Sequence, residues 1–221
     1  PIQKMTKQIF DISDYPSHLK KIAEKIFSGE RINLDEGVTL YKEAELGFLG
    51  VLANFVREKK NGNYVFFNHN FHVEPTNVCV YTCAFCSYSR LIKHRDQGWE
   101  LSVEQILDII KKYDNQPVTE VHITGGVVPK QDLNFYTELF QKIKQHRPSL
   151  HIKALTPVEF HYIFKKAKLS YEEGLTIFRN AGLDSIPGGG AEIFDEKIRD
   201  QIAGGKCSTD EWLRSRSCHF D

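Results

Sequence analysis

The first 62 residues place apolar side chains at helical spacing. Five of them recur three, four, seven and eight positions apart, which predicts a helix with one buried face. They are Leu19, Ile22, Ala23, Ile26 and Phe27. We expect Ser17 to cap the start of this helix and Gly29 to end it. A second helix is predicted to open at Asn33, with Glu36 three residues on, and a third to cover residues 46–56. A turn is expected at 59–63.

From residue 63 the pattern alternates between short apolar runs and helical spacing. Predicted strands lie at 64–67, 71–74, 120–124 and 150–155, with a short one beginning at 185–186. Predicted helices follow Ser102, cover 135–143 and 162–166, and run from a capping box at Ser170 and Glu173 to Gly182.

Strand–helix alternation predicts a parallel sheet with right-handed crossovers, which makes the fold class α/β. A complete eight-unit barrel needs about 250 residues, and about 150 remain after the helical segment. We therefore expect an N-terminal helical segment at 1–62, a partial (β/α) TIM-type barrel at 63–213 and an atypical tail at 214–221.

Composition narrows the functional class. Lys plus Arg and Asp plus Glu both number 29, so the formal net charge is zero. This balance argues against nucleic acid as a partner. No apolar run approaches the roughly 20 residues that span a bilayer, and the N-terminus has no apolar signal segment. We expect a cytoplasmic protein with no membrane partner, whose cysteines serve a metal or catalysis.

The central motif is Cys79-Val-Tyr-Thr-Cys83-Ala-Phe-Cys86, a C-x3-C-x2-C spacing that closely follows the predicted strand 71–74. Active sites of parallel α/β proteins lie at the carboxyl ends of strands. Three thiolates can hold three irons of a [4Fe–4S] cluster and leave the fourth iron open to a ligand. Cys207 and Cys218 are far along the chain, so no fourth cysteine is expected nearby. The alternatives are a structural zinc site with His94 as fourth ligand, or three inert cysteines.

Two glycine-rich segments follow later strands. Thr124-Gly125-Gly126-Val127 ends the strand 120–124, and Pro187-Gly-Gly-Gly-Ala-Glu192 follows the last one. Glycines at a strand end let the backbone approach a ligand closely, although such segments also serve as plain turns.

Polar residues also occur within the strands 120–124 and 150–155. Alternation would place some of His122, His151 and Lys153 in the barrel interior. The alternative is that they are ordinary exposed or hydrogen-bonded residues. An interior lysine would suit a carboxylated substrate.

The cysteine spacing, with an aromatic residue before the last cysteine, resembles the radical S-adenosylmethionine (SAM) superfamily. The resemblance implies that Cys79, Cys83 and Cys86 hold a [4Fe–4S] cluster whose open iron binds SAM. It further implies that Phe85 packs on the adenine, that Thr124, Gly125 and Gly126 hold the SAM amino group, and that Glu192 contacts the ribose. The superfamily often has Glu where this chain has Val127, so only backbone carbonyls would serve there.

Longer stretches resemble the aminodeoxyfutalosine synthase family of menaquinone biosynthesis, over about residues 17–213. They are HVEPTNVCVYTCAFCSYSR (72–90), HITGGVVPK (122–130), KALTPVEFHYIFKKAKLSYEEG (153–174) and AGLDSIPGGGAEIFDEKIR (181–199). The resemblance implies a transferase that adds the 5′-deoxyadenosyl radical to 3-[(1-carboxyvinyl)oxy]benzoate, giving 6-amino-6-deoxyfutalosine, with an external electron donor. Alternatives are a sister enzyme, of the cyclic dehypoxanthine futalosine synthase or deazaflavin-precursor type, or an inactive metal-binding fragment.

The sequence departs from that family at its end. Members continue through the remaining barrel strands, whereas Arg214-Ser-Arg-Ser-Cys-His-Phe-Asp221 is unlike the expected continuation. A half barrel exposes a strand edge and a core face. We therefore expect a chain with an intact cluster motif, low stability and little or no turnover alone.

Overall fold

The computed structural model describes residues 12–217, and Cys218 lies outside them. The chain divides into two compact units between Phe67 and Asn68. The sequence-based boundaries at 62 and 213 stay predictions. None of the helices in the described part of the chain has a stretch both long and apolar enough to cross a bilayer.

The first unit consists of three helices, as predicted. They are α1 (Ser17–Ser28), α2 (Leu34–Glu43) and α3 (Leu46–Asn61). Their shared core contains Leu19, Ala23, Phe48 and Leu52. The capping box predicted for α2 is present, because Asn33 and Glu36 exchange side-chain-to-backbone hydrogen bonds of 2.7 and 2.9 Å.

Three expectations for this unit are wrong. Ser17 does not cap α1, because the helix begins one residue earlier than expected and Pro16 occupies the cap position. The turn at 59–63 is shorter, since α3 continues through Lys59 and Lys60, good helix formers, to Asn61, and Gly62 is its cap residue. Residues 64–67 form no strand: no neighbouring strand pairs with them, and their side chains are 74 to 86% exposed.

The second unit is built on a parallel sheet of three strands, which confirms the α/β prediction. The strands are β1 (Asn70–Val73), β4 (Glu120–Ile123) and β5 (His151–Ala154), in that spatial order. Ser185 adds a parallel bridge to Lys153, where the short last strand was predicted. Consecutive strands that lie side by side and alternate with helices form part of a (β/α) barrel. A separate parallel pair joins β2 (Val78–Cys79) to β3 (Arg90–Leu91).

Six helices and a short 3-10 segment surround these strands. They are the 3-10 segment Ile92–Gln97 and helices α4 (Val103–Lys111), α5 (Leu133–His146), α6 (Pro157–Ala167), α7 (Tyr171–Ala181), α8 (Glu196–Ala203) and α9 (Thr209–Ser217). Helix α6 begins earlier than predicted because Thr156 and Glu159 form a capping box. Helices α8 and α9 were not predicted, since their sequences are largely polar, and α9 runs through the predicted boundary at 213.

The two faces of the three-stranded sheet differ in chemistry. One face carries apolar side chains that belong to the main core with helices α4 to α7. These side chains are Phe71, Val73, Val121, Ile123, Ile152 and Ala154. The opposite face, which we call the polar face, has two rows set by the strand register. One row is Asn70, Glu120 and His151, and the other is His72, His122 and Lys153.

Candidate active site

The cysteine loop begins beyond the carboxyl end of β1. Cys79 ends β2, and its sulfur accepts hydrogen bonds from the backbone N–H groups of Tyr81 (3.5 Å) and Val127 (3.4 Å). Burial raises the pKa of the Cys79 thiol, and these two bonds partly oppose the shift because they favour the thiolate. The loop is therefore tied directly to the segment that follows β4.

One cavity of about 210 Å³ is lined by all eight residues that the sequence assigned to the site. They are Cys79, Cys83, Phe85, Cys86, Thr124, Gly125, Gly126 and Glu192. These residues come from loops more than 100 positions apart, and they follow β1, β4 and the bridge residue Ser185. Their individual roles stay predictions.

The glycines after β4 pack against protein backbone. A Cβ atom on Gly125 would lie 2.6 Å from the carbonyl oxygen of Thr76, and one on Gly126 would lie 2.1 Å from that of Val78. The N–H of Gly126 donates to the Thr76 oxygen at 2.7 Å. The close approach that requires glycine at both positions is thus to the segment leading into the cysteine motif, and not only to a ligand as the sequence suggested.

The far wall of the cavity contains a basic residue that sequence reasoning missed. The Nζ atom of Lys206 lies 5.3 Å from the centre of the Phe85 ring, within cation–π distance. It also lies 2.9 Å from Oε1 of Glu192, whose backbone is in the left-handed region at φ 55°. Nothing in the local sequence around Lys206 signals this contact, because it depends on the packing of α8.

A second missed residue is Glu159, on the first turn of α6. Its side chain is 4% exposed and lines the same cavity. Its carboxylate accepts hydrogen bonds from the Thr124 hydroxyl (2.8 Å) and from the N–H groups of Gly125 (3.0 Å) and Thr156 (2.6 Å). The capping-box spacing from Thr156 to Glu159, directly after a predicted strand, could have found it.

The polar face holds a partly paired group of titratable side chains. Lys153 donates to Glu120 at 3.0 Å, and His151 lies 2.7 Å from the Ser185 hydroxyl. The rings of His72 and His122 stack with centres 4.8 Å apart. Atom Nε2 of His122 is buried without a hydrogen-bond partner in the described structure. Burial, together with His72 and Lys153, lowers the pKa of His122, so the ring is neutral at neutral pH.

The donor set suits an iron–sulfur cluster better than a single metal ion. Within residues 12–217, no three His, Cys, Asp or Glu side chains are arranged to share one ion. A cubane places each protein thiolate on a different iron, so its ligands need not converge on one point. His94, the fourth ligand of the zinc alternative, lies in the exposed 3-10 segment.

Cys207 is closer to the motif than its sequence position suggested. It is buried in an apolar cluster with Tyr81, Val127 and Val158, against which Cys79 and Cys83 also pack. The expectation that no other cysteine lies nearby is therefore wrong. Packing of α8 and the segment after it, which sequence spacing does not report, causes the proximity.

The cysteine loop follows β1, the first strand of a partial parallel barrel, and it faces the glycine segment after β4, the neighbouring strand. This arrangement is typical of a class of enzymes that bind an iron–sulfur cluster. The profile of the "Radical SAM superfamily" matches residues 73–215. The chain belongs to this superfamily, whose enzymes use a [4Fe–4S] cluster and SAM.

The curated relatives include more than one activity. The chain is 38% identical over 200 residues to aminodeoxyfutalosine synthase of Thermus thermophilus, covering 90% of this chain and 53% of the relative. It is 35% identical to 5-amino-6-(D-ribitylamino)uracil–L-tyrosine 4-hydroxyphenyl transferase of Methanospirillum hungatei, covering 89% and 54%. It is 32% identical to cyclic dehypoxanthine futalosine synthase of Halalkalibacterium halodurans, covering 88% and 52%. The chain thus spans about half the length of the curated relatives it matches.

The crystal structure of methylornithine synthase is similar to this fold. The TM-score is 0.64 at 21% identity, and the match covers 88% of this chain and 54% of that one. This similarity supports the partial barrel architecture and carries no information on the reaction.

Proposed function

We propose that this protein is a radical SAM transferase of the aminodeoxyfutalosine synthase type. In this proposal the adenosyl group of SAM is joined to a carboxylated aromatic enol ether, 3-[(1-carboxyvinyl)oxy]benzoate, to give 6-amino-6-deoxyfutalosine. The observation that carries the proposal is the single cavity lined by the cysteine motif and by both glycine-rich segments. The identity to aminodeoxyfutalosine synthase over 90% of the chain supports the choice of reaction.

In this proposal, each group of site residues has a separate role in binding the cluster, SAM or the second substrate. Cys79, Cys83 and Cys86 would hold the cluster, which when bound supplies one electron, taken from an external donor, to cleave SAM. The backbone at Gly125 would orient the methionine end of SAM. Lys153 lies on the polar face and donates to Glu120 at 3.0 Å, and its remaining N–H groups would donate to the substrate carboxylates.

A sister reaction is the second candidate. Relatives at 35% and 32% identity carry other names, and they match nearly the same share of the chain. In this alternative the adenosyl radical abstracts hydrogen and is released as 5′-deoxyadenosine. The two candidate reactions therefore differ in the product that contains the adenosyl carbon of SAM.

The test uses the chain reconstituted anaerobically with iron and sulfide. We expect a reduced cluster whose electron paramagnetic resonance spectrum changes on addition of SAM. With SAM labelled in the adenosyl carbon and the enol ether added, label in a larger nucleoside product supports the proposal, whereas label only in 5′-deoxyadenosine supports the sister reaction. A reduced cluster whose electron paramagnetic resonance spectrum does not change on addition of SAM would contradict both candidate reactions.

A cysteine pair provides the matched control. Cys83→Ser should abolish the SAM-responsive cluster, because it removes one of three thiolates. Cys207→Ser changes a cysteine of the neighbouring apolar cluster and should keep the iron content. Equal iron loss in both variants would argue against the assigned ligand set.

A further inference from the structure

Four helices in the described structure begin with a glutamate capping box (Glu36, Glu159, Glu173 and Glu211), but one of the four glutamates has an unusual environment. All four accept a hydrogen bond from the backbone N–H of their own cap residue. Glu173 is exposed, whereas Glu159 is 4% exposed. Capping alone requires no burial, so the position of Glu159 calls for another explanation.

The additional contacts of Glu159 reach a different strand end. Its Oε2 atom accepts from the Thr124 hydroxyl, and its Oε1 atom accepts from the N–H of Gly125. The carboxylate therefore links the loop after β4 with the start of α6 after β5. Both loops line the cavity that contains the cysteine motif.

Within the part of the chain that the structure describes, the charge of this carboxylate has no counter-ion. All its hydrogen-bond donors are neutral backbone or hydroxyl groups. Among residues 12–217, no Lys, Arg or His nitrogen lies within 4.0 Å of it. Burial raises the pKa of Glu159, against the lowering effect of the hydrogen bonds. An unpaired buried carboxylate is costly, and a bound cation would remove that cost.

We propose that Glu159 is the counter-charge for the ammonium group of SAM. A carboxylate offers about four acceptor positions, and Oε1 receives a hydrogen bond only from Gly125 in the described structure. An ammonium group can donate to the remaining position, whereas the sulfonium of SAM has no hydrogen to donate. The inference rests on SAM being the ligand, as in the proposed function, and is independent of the second substrate.

The test compares SAM with an analogue that lacks only the amino group. Equilibrium binding of both to the reconstituted chain is measured for wild type, Glu159→Gln and Glu159→Asp. We expect Glu159→Gln to weaken SAM binding about tenfold or more, as for a lost charge-assisted hydrogen bond. The same variant should change binding of the deaminated analogue by less than about twofold. Glu173→Gln, in the exposed capping box of α7, should change neither affinity.

The binding measurements separate a role of Glu159 in holding the ammonium group from a role in loop structure. Equal weakening of both ligands by Glu159→Gln would assign Glu159 to loop structure alone, and no weakening would exclude it as the counter-charge. Wild-type protein that binds neither ligand would instead contradict the proposed function. If Glu159→Gln does not fold, Glu159→Asp decides: it keeps the charge but shortens the side chain, so it should weaken SAM more than the analogue. Equal effects on both ligands would overturn the proposal.

Discussion

The two faces of the β1–β4–β5 sheet use the same backbone for different purposes. On one face, Ile123 and Ile152 are fully buried under helices. On the other, Glu120 is buried and accepts hydrogen bonds from Asn68, Asn70 and Lys153. Because side chains alternate along a strand, successive residues either pack in the core or place a polar, titratable group on the opposite face.

The difference shows which substitutions report on folding and which on function. Apolar positions depend on volume and packing, so truncation leaves a cavity. Polar positions depend on pairing, so removal of one partner leaves the other unsatisfied.

The largest effect is expected on the apolar face. Ile152→Ala should lower the free energy of unfolding by about 2–5 kcal/mol, because a fully buried aliphatic side chain is replaced by a cavity. Urea denaturation followed by circular dichroism measures the change. Ile198→Ala, at a position 44% exposed on α8, is the matched control and should cost less than about 1 kcal/mol. Similar costs at both sites would contradict the assigned core.

A smaller loss is expected when the ion pair on the polar face is broken. Lys153→Met should cost about 2 kcal/mol, since it leaves the buried Glu120 carboxylate without its cation. Denaturation at pH 7 measures this cost. Lys142→Met, which breaks only exposed pairs with Glu104 and Glu138, should cost less than about 1 kcal/mol. If both variants lose the same stability, the Lys153 pair is no more important than a surface pair.

The Lys153–Glu120 ion pair also predicts how the free energy of unfolding depends on pH in the wild type and in Lys153→Met. Burial would raise the pKa of Glu120, but hydrogen bonds from Asn70 and Lys153 outweigh it and lower the pKa. The wild-type stabilisation is thus present above the unfolded pKa of about 4.3 and is lost as pH falls through the folded pKa. Lys153→Met removes two of the causes that lower the pKa of Glu120, so the variant should lose less stability than the wild type as pH falls through the folded pKa. A constant stability difference between the two proteins as pH falls below about 4.3 would refute this assignment.

The smallest effect on stability is expected at His122. Its buried Nε2 atom has no partner in the described structure, so His122→Leu removes an unsatisfied group and should change the free energy of unfolding by less than about 1 kcal/mol. The variant should nevertheless alter the Michaelis constant for the carboxylated substrate if the polar face binds it. Unchanged kinetic constants would separate His122 from the substrate site.

Local patterns predicted much of this molecule, and long-range packing accounts for the rest. The helix α7 and the cysteine loop follow from spacing and capping residues within a few positions. The exposed segment 64–67 has strand-like composition, yet strand formation requires a partner that its own sequence cannot report. Lys206 and Cys207 reach the site through the packing of α8, whose polar sequence carried no recognisable signal.

The paired glycines after β4 have a mechanical consequence. Gly126 donates to the Thr76 carbonyl, and the Val127 carbonyl accepts from the Val80 N–H. Both glycines pack directly on the chain that leads to Cys79. The cysteine loop and the glycine loop therefore cannot shift independently. The backbone position of Cys79 is therefore set in part by the glycine loop, through the hydrogen bond from the Val127 N–H to the Cys79 sulfur.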